Sequence, residues 1–361
     1  MTEPAIAASV DQIDPAWMTA ALRASDALPS GKVTDLTVTP VGNGLVGDSY
    51  RLTIAYDGAP ASAPTSVVGK FAAADPSSRT SGAAFNLYGR EVGFYRELAS
   101  SVGIITPKTY FARIDPSTSD FTLIFEDFGP ARPGDQLAGC SAADARTALL
   151  EVAALHAPRW NDPALKAVDW LMAGQAMYPM IVAALPGVIA AYRERYDGVL
   201  EPDYMALVER LGEIMPLFQG VAEGPFTLQH GDFRLDNILF DIQGGTRRMG
   251  TLDWQTLAVG PGLTDVTYFL SAGLSPDLRR SNERDLVETY HDELRRLGVT
   301  DYSAADCWTD YRRMAVHGVF MGVFSAIAVE RTERGDALFL AMTRGACAQA
   351  LDLDTFDLWL V

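Results

Sequence analysis

The run His230-Gly231-Asp232-Phe233-Arg234-Leu235-Asp236-Asn237, followed by Thr251-Leu252-Asp253-Trp254, concentrates acids, an amide and a guanidinium in a short stretch. The pattern H-x-D-x-x-x-x-N, with a later strand ending in Asp, supplies a carboxylate for an acceptor hydroxyl and two oxygen ligands for Mg²⁺, which is what phosphoryl transfer needs. Taken singly, each residue has a structural account as a turn Asp or a loop Asn. Upstream, Gly42-Asn43-Gly44-Leu45-Val46-Gly47 matches G-x-G-x-x-G. A glycine-rich hairpin gives the same string, and a dinucleotide site needs the loop to open a helix. Here residues 48–56 continue as a strand, so Gly42, Gly44 and Gly47 fit a loop that folds backbone N–H groups over nucleotide phosphates.

Between these motifs lies Lys70, in the apolar run Val67-Val68-Gly69-Lys70-Phe71. It is either an edge residue reaching water or a buried cation with a partner. Glu91 is the candidate partner: its helical neighbours at −4, +3 and +7 are Leu87, Phe94 and Leu98, so its carboxylate lies on an apolar face and wants a cation. Glu97 has Gly93, Ser100 and Ile104 at the same offsets, a face that runs off the helix end.

The elements that must hold these groups fall into two regions. Residues 32–41 (KVTDLTVTPV), 50–56 (YRLTIAY), 65–71 (TSVVGKF) and 121–128 (FTLIFEDF) have the β-branched and aromatic content of strands. Residues 83–100 have helical spacing, with Phe85, Tyr88, Val92, Tyr95 and Ala99 in one stripe and Gly103 beyond the end. After Gly129-Pro130 the character turns helical. Ser141 with Asp144 opens a helix through His156, and Ser303 with Asp306 opens one that carries residues 315–329. A strand pair, 237–241 and 249–253 around Gly244-Gly245, interrupts them. The expectation is an α+β chain with a β-rich N-terminal lobe over residues 1–128 and a larger, mainly helical C-terminal lobe over 129–361.

Composition narrows the partners. At 361 residues the chain has room for two lobes, and 29 Lys and Arg against 46 Asp and Glu give a net charge of −17, which disfavours nucleic acid and anionic membranes. Apolar residues at 48% and charged ones at 21% describe an ordinary globular protein. Cys140, Cys307 and Cys347 form no CxxC pair, so neither a zinc site nor a disulfide framework is expected and a reduced cytoplasmic setting fits. The acidic start MTEPAIAASVDQID is unlike a secretory signal. The apolar stretches 180–192 and 315–329 are shorter than the ~20 residues a bilayer needs and read as buried helices.

With LQHGDFRLDNILF, TLDWQ and REVGFYREL in place, the chain resembles the aminoglycoside phosphotransferase superfamily, in particular its choline-kinase-like and ecdysteroid-kinase-like branch of small-molecule kinases. The likeness runs from about residue 33 to the helices after Asp265. It implies a protein-kinase-like bilobal fold that uses ATP, or GTP, with Mg²⁺. By that resemblance Asp232 is the catalytic base, Asn237 and Asp253 are the magnesium ligands, and Lys70 paired with Glu91 holds the α- and β-phosphates. Arg234 stands where many kinases place a Lys on the transferring phosphate, and the backbone of Glu126 and Phe128 is the interlobe hinge that binds adenine. Trp254-Gln255 follows Asp253 where protein kinases have Phe-Gly.

The acceptor is expected to be a small molecule. Eleven residues, 254–264, separate Asp253 from Asp265, and they contain Gly260-Pro261-Gly262 but no Ala-Pro-Glu element for docking a peptide. The segment 161–224 is placed to wall off an acceptor pocket. Residues 167–191 carry only Asp169 as a charge, favouring a lipophilic alcohol over an aminoglycoside or choline-type amino-alcohol. A non-catalytic nucleotide-binding scaffold is the rival from another class; such proteins usually lose one of the residues at Lys70, Asp232 or Asp253, and all are present. His156 and His317 read as structural. So do Trp160, Trp170, Tyr178 and Tyr192. Asp265 reads either as an acid bracing the catalytic loop or as a helix N-terminal Asp.

Overall fold

The computed structural model describes residues 3–42, 46–218, 224–329 and 331–360. Gly44, of the glycine-rich loop, lies outside them. Contacts divide the chain into two units: 1–100 with 106–130 and 252–256, and 101–105 with 131–251 and 257–361. The short segment carrying Asp253 is thus counted with the N-terminal unit although it lies far along the chain.

The N-terminal unit is built on a five-stranded antiparallel sheet in the order β1-β2-β3-β5-β4, formed by Lys32–Pro40, Gly47–Asp57, Ser66–Ala72, Thr109–Ile114 and Phe121–Glu126 as β1 to β5. β3 is central, and Lys70 pairs with Ser49 on one side and Leu123 on the other. One core cluster joins Leu52, Val67, Phe71, Phe111 and Ile124 from the sheet to Met18, Ala21 and Leu22 of the helix Pro15–Ala24. That helix is absent from the sequence reading. It is short, and it is marked locally only by Asp14, whose side chain caps the Trp17 N–H, and by Pro15 in the first turn.

The helix expected over 83–100 is several pieces. Pro76–Ala84 ends before Asn86, which sits at φ +51°, and Leu87–Gly93 runs into a π-helical turn, Phe94–Leu98, and a 3₁₀ turn, Ala99–Ser101. The wider turn keeps Tyr88, Glu91, Val92, Phe94, Tyr95 and Leu98 all buried, more than one straight stripe could carry.

In the C-terminal unit Ser141 caps Ala142–His156 through the Asp144 N–H, as the sequence predicts. Ser303 likewise caps Ala304–Met314, but that helix stops at Ala315 and a second, Val316–Ala328, follows, so the expected single helix is two. The expected burial of 180–192 is also corrected. In the helix Tyr178–Tyr196 only Leu185, Tyr192 and Tyr196 are buried. The helical run Asp169–Tyr196 is long and apolar enough to cross a membrane, with just 6% of its apolar window covered. Its surface is mostly Ala, Gly, Pro and Met, which a count of apolar residues cannot tell from a core.

Two small sheets complete the unit. Arg132–Pro133, Ile238–Asp241 and Arg247–Thr251 form β6, β8 and β9, and Thr227–Gln229 pairs as β7 with β10, Ala258–Gly260. The β8–β9 connection carries positive φ at Gln243, Gly244 and Gly245, the conformation its two glycines supply without strain.

Candidate active site

In the N-terminal unit Lys70 is 8% exposed and Glu91 1%. The Lys70 Nζ lies 2.9 Å from Glu91 Oε1 and 2.8 Å from Oε2, and 3.3 Å from Asp253 Oδ1. Burial works against the ammonium, but the charges of Asp253 and Glu91 outweigh it and raise its pKa, so Lys70 stays a cation. Glu97 is exposed, so of the two glutamates it is Glu91 that the fold turns inward.

Two further features shape this cluster. A Cβ at Gly47 would lie 3.1 Å from the Phe71 carbonyl oxygen and 3.3 Å from Lys70 Cε, so the glycine leaves room for the lysine stem. Asp253 adopts a left-handed φ of +64°, and the next residue, Trp254, is fully buried and stacked on Phe94 with ring centroids 3.8 Å apart. Trp254 is thus an apolar anchor that pins the turn bearing Asp253. Gly42 also has positive φ, +77°.

At the end of β5 the Glu126 N–H donates to the Lys108 carbonyl at 2.8 Å. Phe128 is buried, at 3% exposure. Between them Asp127, which sequence reasoning passed over, accepts from Arg51 Nε at 2.6 Å, Ser66 Oγ at 2.8 Å and the Gly129 N–H at 2.9 Å. It ties this segment to β2 and β3.

In the C-terminal unit the loop after β7 carries Asp232, Arg234 and Asn237. Asp265, in the first turn of the helix Leu263–Gly273, accepts from the His230 N–H at 2.7 Å and the Gly231 N–H at 2.9 Å. Both sequence readings of this residue therefore hold. His156 Nε2 lies 3.2 Å from the same carboxylate and its Nδ1 2.8 Å from the Tyr290 hydroxyl, in full burial. Burial works to raise the Asp265 pKa, but the bonds from His156 and the loop prevail and hold it below the ordinary range.

The depressed pKa gives a stability prediction. A group whose folded pKa lies below its unfolded value of about 3.9 adds stability that is present above that pH and lost as pH falls through the folded pKa. Asp265→Asn is expected to destabilise the chain by about 3 kcal/mol at neutral pH, because an amide cannot accept from all these donors. Urea unfolding at falling pH should show the gap between wild type and variant narrowing below about pH 4. A gap that stayed constant would show that the charge contributes nothing.

The Asp232 carboxylate is enclosed by donors. Arg234 Nε lies 3.0 Å from each oxygen, Asn237 Nδ2 is 2.9 Å from Oδ2 and 2.9 Å from the Asp232 carbonyl, and the Tyr268 hydroxyl is 3.0 Å from Oδ1. Arg234 also reaches Asp236 at 2.6 Å. Burial opposes the guanidinium charge, and Asp232 with Asp236 overcomes it to raise the pKa. With Nδ2 committed to Asp232, the Asn237 amide turns its oxygen the other way. Gln136 braces the loop from outside, accepting from Leu235 N–H at 2.9 Å while its own N–H donates to Asp236 at 3.0 Å.

The fold thus assembles Lys70, Glu91 and Asp253 in one unit and Asp232, Arg234 and Asn237 in the other. Tyr268, Gln136 and Tyr290 are additions that sequence reasoning missed. For Tyr268 a signal existed: it stands three residues after Asp265, on the same helix face. His317, on the helix Val316–Ala328, meets the Tyr268 ring edge-on at 5.7 Å, and burial pulls its pKa down to about 4, so it is neutral. Trp160 packs on Tyr302 and Tyr192 is fully buried, in keeping with structural roles. A cavity of about 580 Å³ between the helices Tyr178–Tyr196 and Pro202–Phe218 is lined by Arg193, Asp197, Glu201 and Glu209 among others, and by none of the loop residues.

Residues 173–299 match the model of the Ecdysteroid kinase-like family. No curated protein matches the chain. Among solved structures, a microcompartment-associated aminopropanol kinase aligns with TM-score 0.52 and 17% identity over 90% of this chain and 95% of its own. An ethanolamine kinase of Plasmodium vivax gives 0.51 and 11% over 86% and 82%. The ADP-bound aminoglycoside phosphotransferase APH(2'')-Ib gives 0.50 and 15% over 88% and 94%. The fold is the kinase-like bilobal one, and over residues 173–299, in its helical half, the chain is similar to the Ecdysteroid kinase-like family.

Proposed function

We propose that the protein is an ATP- and Mg²⁺-dependent phosphotransferase, cytoplasmic, that moves the γ-phosphate to a hydroxyl of a small lipophilic alcohol. The observation that carries the reading is the Asp232 carboxylate, held by donors on both oxygens in a loop whose backbone Asp265 fixes. A carboxylate so oriented can accept the proton of a hydroxyl as it attacks phosphorus. Lys70, kept charged by Glu91 and Asp253, supplies the cation that phosphates need. Among the similar structures, one aminoglycoside phosphotransferase is ADP-bound and another is a GDP complex, so GTP is the alternative donor.

The residues present fit magnesium. Asn237 offers an amide oxygen in the C-terminal unit and Asp253 a carboxylate, 35% exposed, in the N-terminal one, each a hard oxygen donor of the kind Mg²⁺ takes. Held by such donors, the ion would neutralise charge on the transferring phosphate. Arg234, already charged beside Asp232, would add a guanidinium to the same task.

The lipophilic acceptor is favoured by the exposed apolar run Asp169–Tyr196, whose helix Tyr178–Tyr196 packs on Val316–Ala328, the helix that also carries His317 beside Tyr268. The aminopropanol and ethanolamine kinases among the similar structures make a short amino-alcohol the competing acceptor. Release of ADP is to be measured with a panel of sterols and other lipophilic alcohols, aminoglycosides, choline, ethanolamine and a generic protein. Turnover is expected highest with a lipophilic alcohol. Preference for aminoglycosides or amino-alcohols would overturn that part alone, and phosphorylation of the generic protein with no small acceptor would overturn the small-molecule assignment.

A further inference from the structure

We propose that Tyr268 is a positioning residue for Asp232, its phenolic O–H holding Oδ1 so that Oδ2 faces the acceptor hydroxyl once Arg234 and Asn237 turn to phosphate and metal. The inference rests on the reading of Asp232 as the base. Among the described residues, the 3.0 Å bond from Tyr268 is the one hydrogen bond to this carboxylate from outside the loop; Arg234 and Asn237 both come from within it. Those two are the groups that the proposed chemistry turns toward phosphate and metal, so they cannot be the fixed reference for the base. Tyr268 has no such second task.

Its own placement is rigid. The side chain is 1% exposed, on the helix Leu263–Gly273, and its ring meets the edge of His317 at an interplanar angle of 82°. Burial and the neighbouring carboxylate push the phenol well above its usual range, so it is a donor throughout the physiological pH range. One helical turn before it, Asp265 grips the backbone at His230 and Gly231. A single helix thus fixes the catalytic loop at two points, the backbone through Asp265 and the reactive carboxylate through Tyr268. In the step that this serves, the acceptor O–P bond forms as the P–O bond to the nucleoside diphosphate breaks, the diphosphate keeps the electron pair, and the hydroxyl proton passes to Asp232. A carboxylate free to rotate would meet that proton in fewer encounters, and a displacement of an ångström costs on the order of 100-fold.

The test uses the full chain and the acceptor giving the highest turnover in the panel. Tyr268→Phe, which keeps the ring, is expected to lower kcat by about 10- to 100-fold, leave KM for nucleotide and acceptor within about twofold, and raise the share of nucleotide hydrolysed by water. In an Asp232→Asn background the same change should cost nothing further. Tyr268→His, which returns a ring donor, should recover part of the loss. Unchanged kcat in Tyr268→Phe beside an inactive Asp232→Asn would overturn this inference alone. So would a loss that persists in full without the Asp232 carboxylate, or a Phe variant that does not fold, since either places the hydroxyl in stability and not in positioning. An active Asp232→Asn would instead remove the reading on which it rests.

Discussion

Asp232→Asn is expected to lower turnover by about 1,000-fold or more while nucleotide affinity stays within about twofold. The amide is the same size but cannot take a proton from an attacking hydroxyl. It also places an NH₂ group where the carboxylate now accepts from Arg234, Asn237 or Tyr268. At least one of these bonds must be lost, so the variant disturbs orientation as well as basicity. On the proposed function nucleotide binding draws on Lys70, which belongs to the other structural unit, and is expected to persist. Steady-state kinetics with the best acceptor, set beside calorimetric titration with the nucleotide, separates the two effects. Turnover near the wild-type value would sink the assignment of Asp232 as the base.

The second large effect is expected at Lys70 and Glu91. Lys70→Met and Glu91→Gln should each lower kcat/KM for the nucleotide by about 100-fold, and the double variant should be little worse than the poorer single one. The two side chains meet at 2.8 Å in near-complete burial, so removing either disables the other. Stability should be affected unequally. Without Lys70, the buried Glu91 and its neighbour Asp253 lose their shared cation, at a cost of about 3 kcal/mol. Without Glu91, Lys70 still has Asp253 at 3.3 Å and the loss should be smaller. A double-mutant cycle read by both kinetics and urea unfolding checks this. Additive losses would show that the pair does not act as a unit.

Much of the site was legible before any fold because its signals are local. The spacing of Asp232 and Asn237 lies within one loop, the apolar neighbours of Glu91 recur at helical offsets, and Ser141 and Ser303 announce their helices by a side chain three residues from its partner. Such patterns depend on backbone geometry over one or two turns, which residue types constrain directly. The glutamate choice shows the reach of this reasoning, since Glu91 and Glu97 differ only in what stands one turn away.

Tertiary structure alone decided the rest. Nothing near His156 in the chain says that its ring meets Asp265 and Tyr290, more than a hundred residues on, and nothing near Trp254 names Phe94 as the surface that anchors Asp253. The exposure of Tyr178–Tyr196 has the same origin: apolar content does not say whether another helix arrives to cover it. The amino-acid sequence by itself determined which groups are available for chemistry and which helix face or strand carries them. Packing between distant segments determined which of those groups are held still, because the phenol that holds Asp232 from outside its loop, the bonds that depress the Asp265 pKa and the ring that pins Asp253 come from parts of the chain that only the folded core brings together.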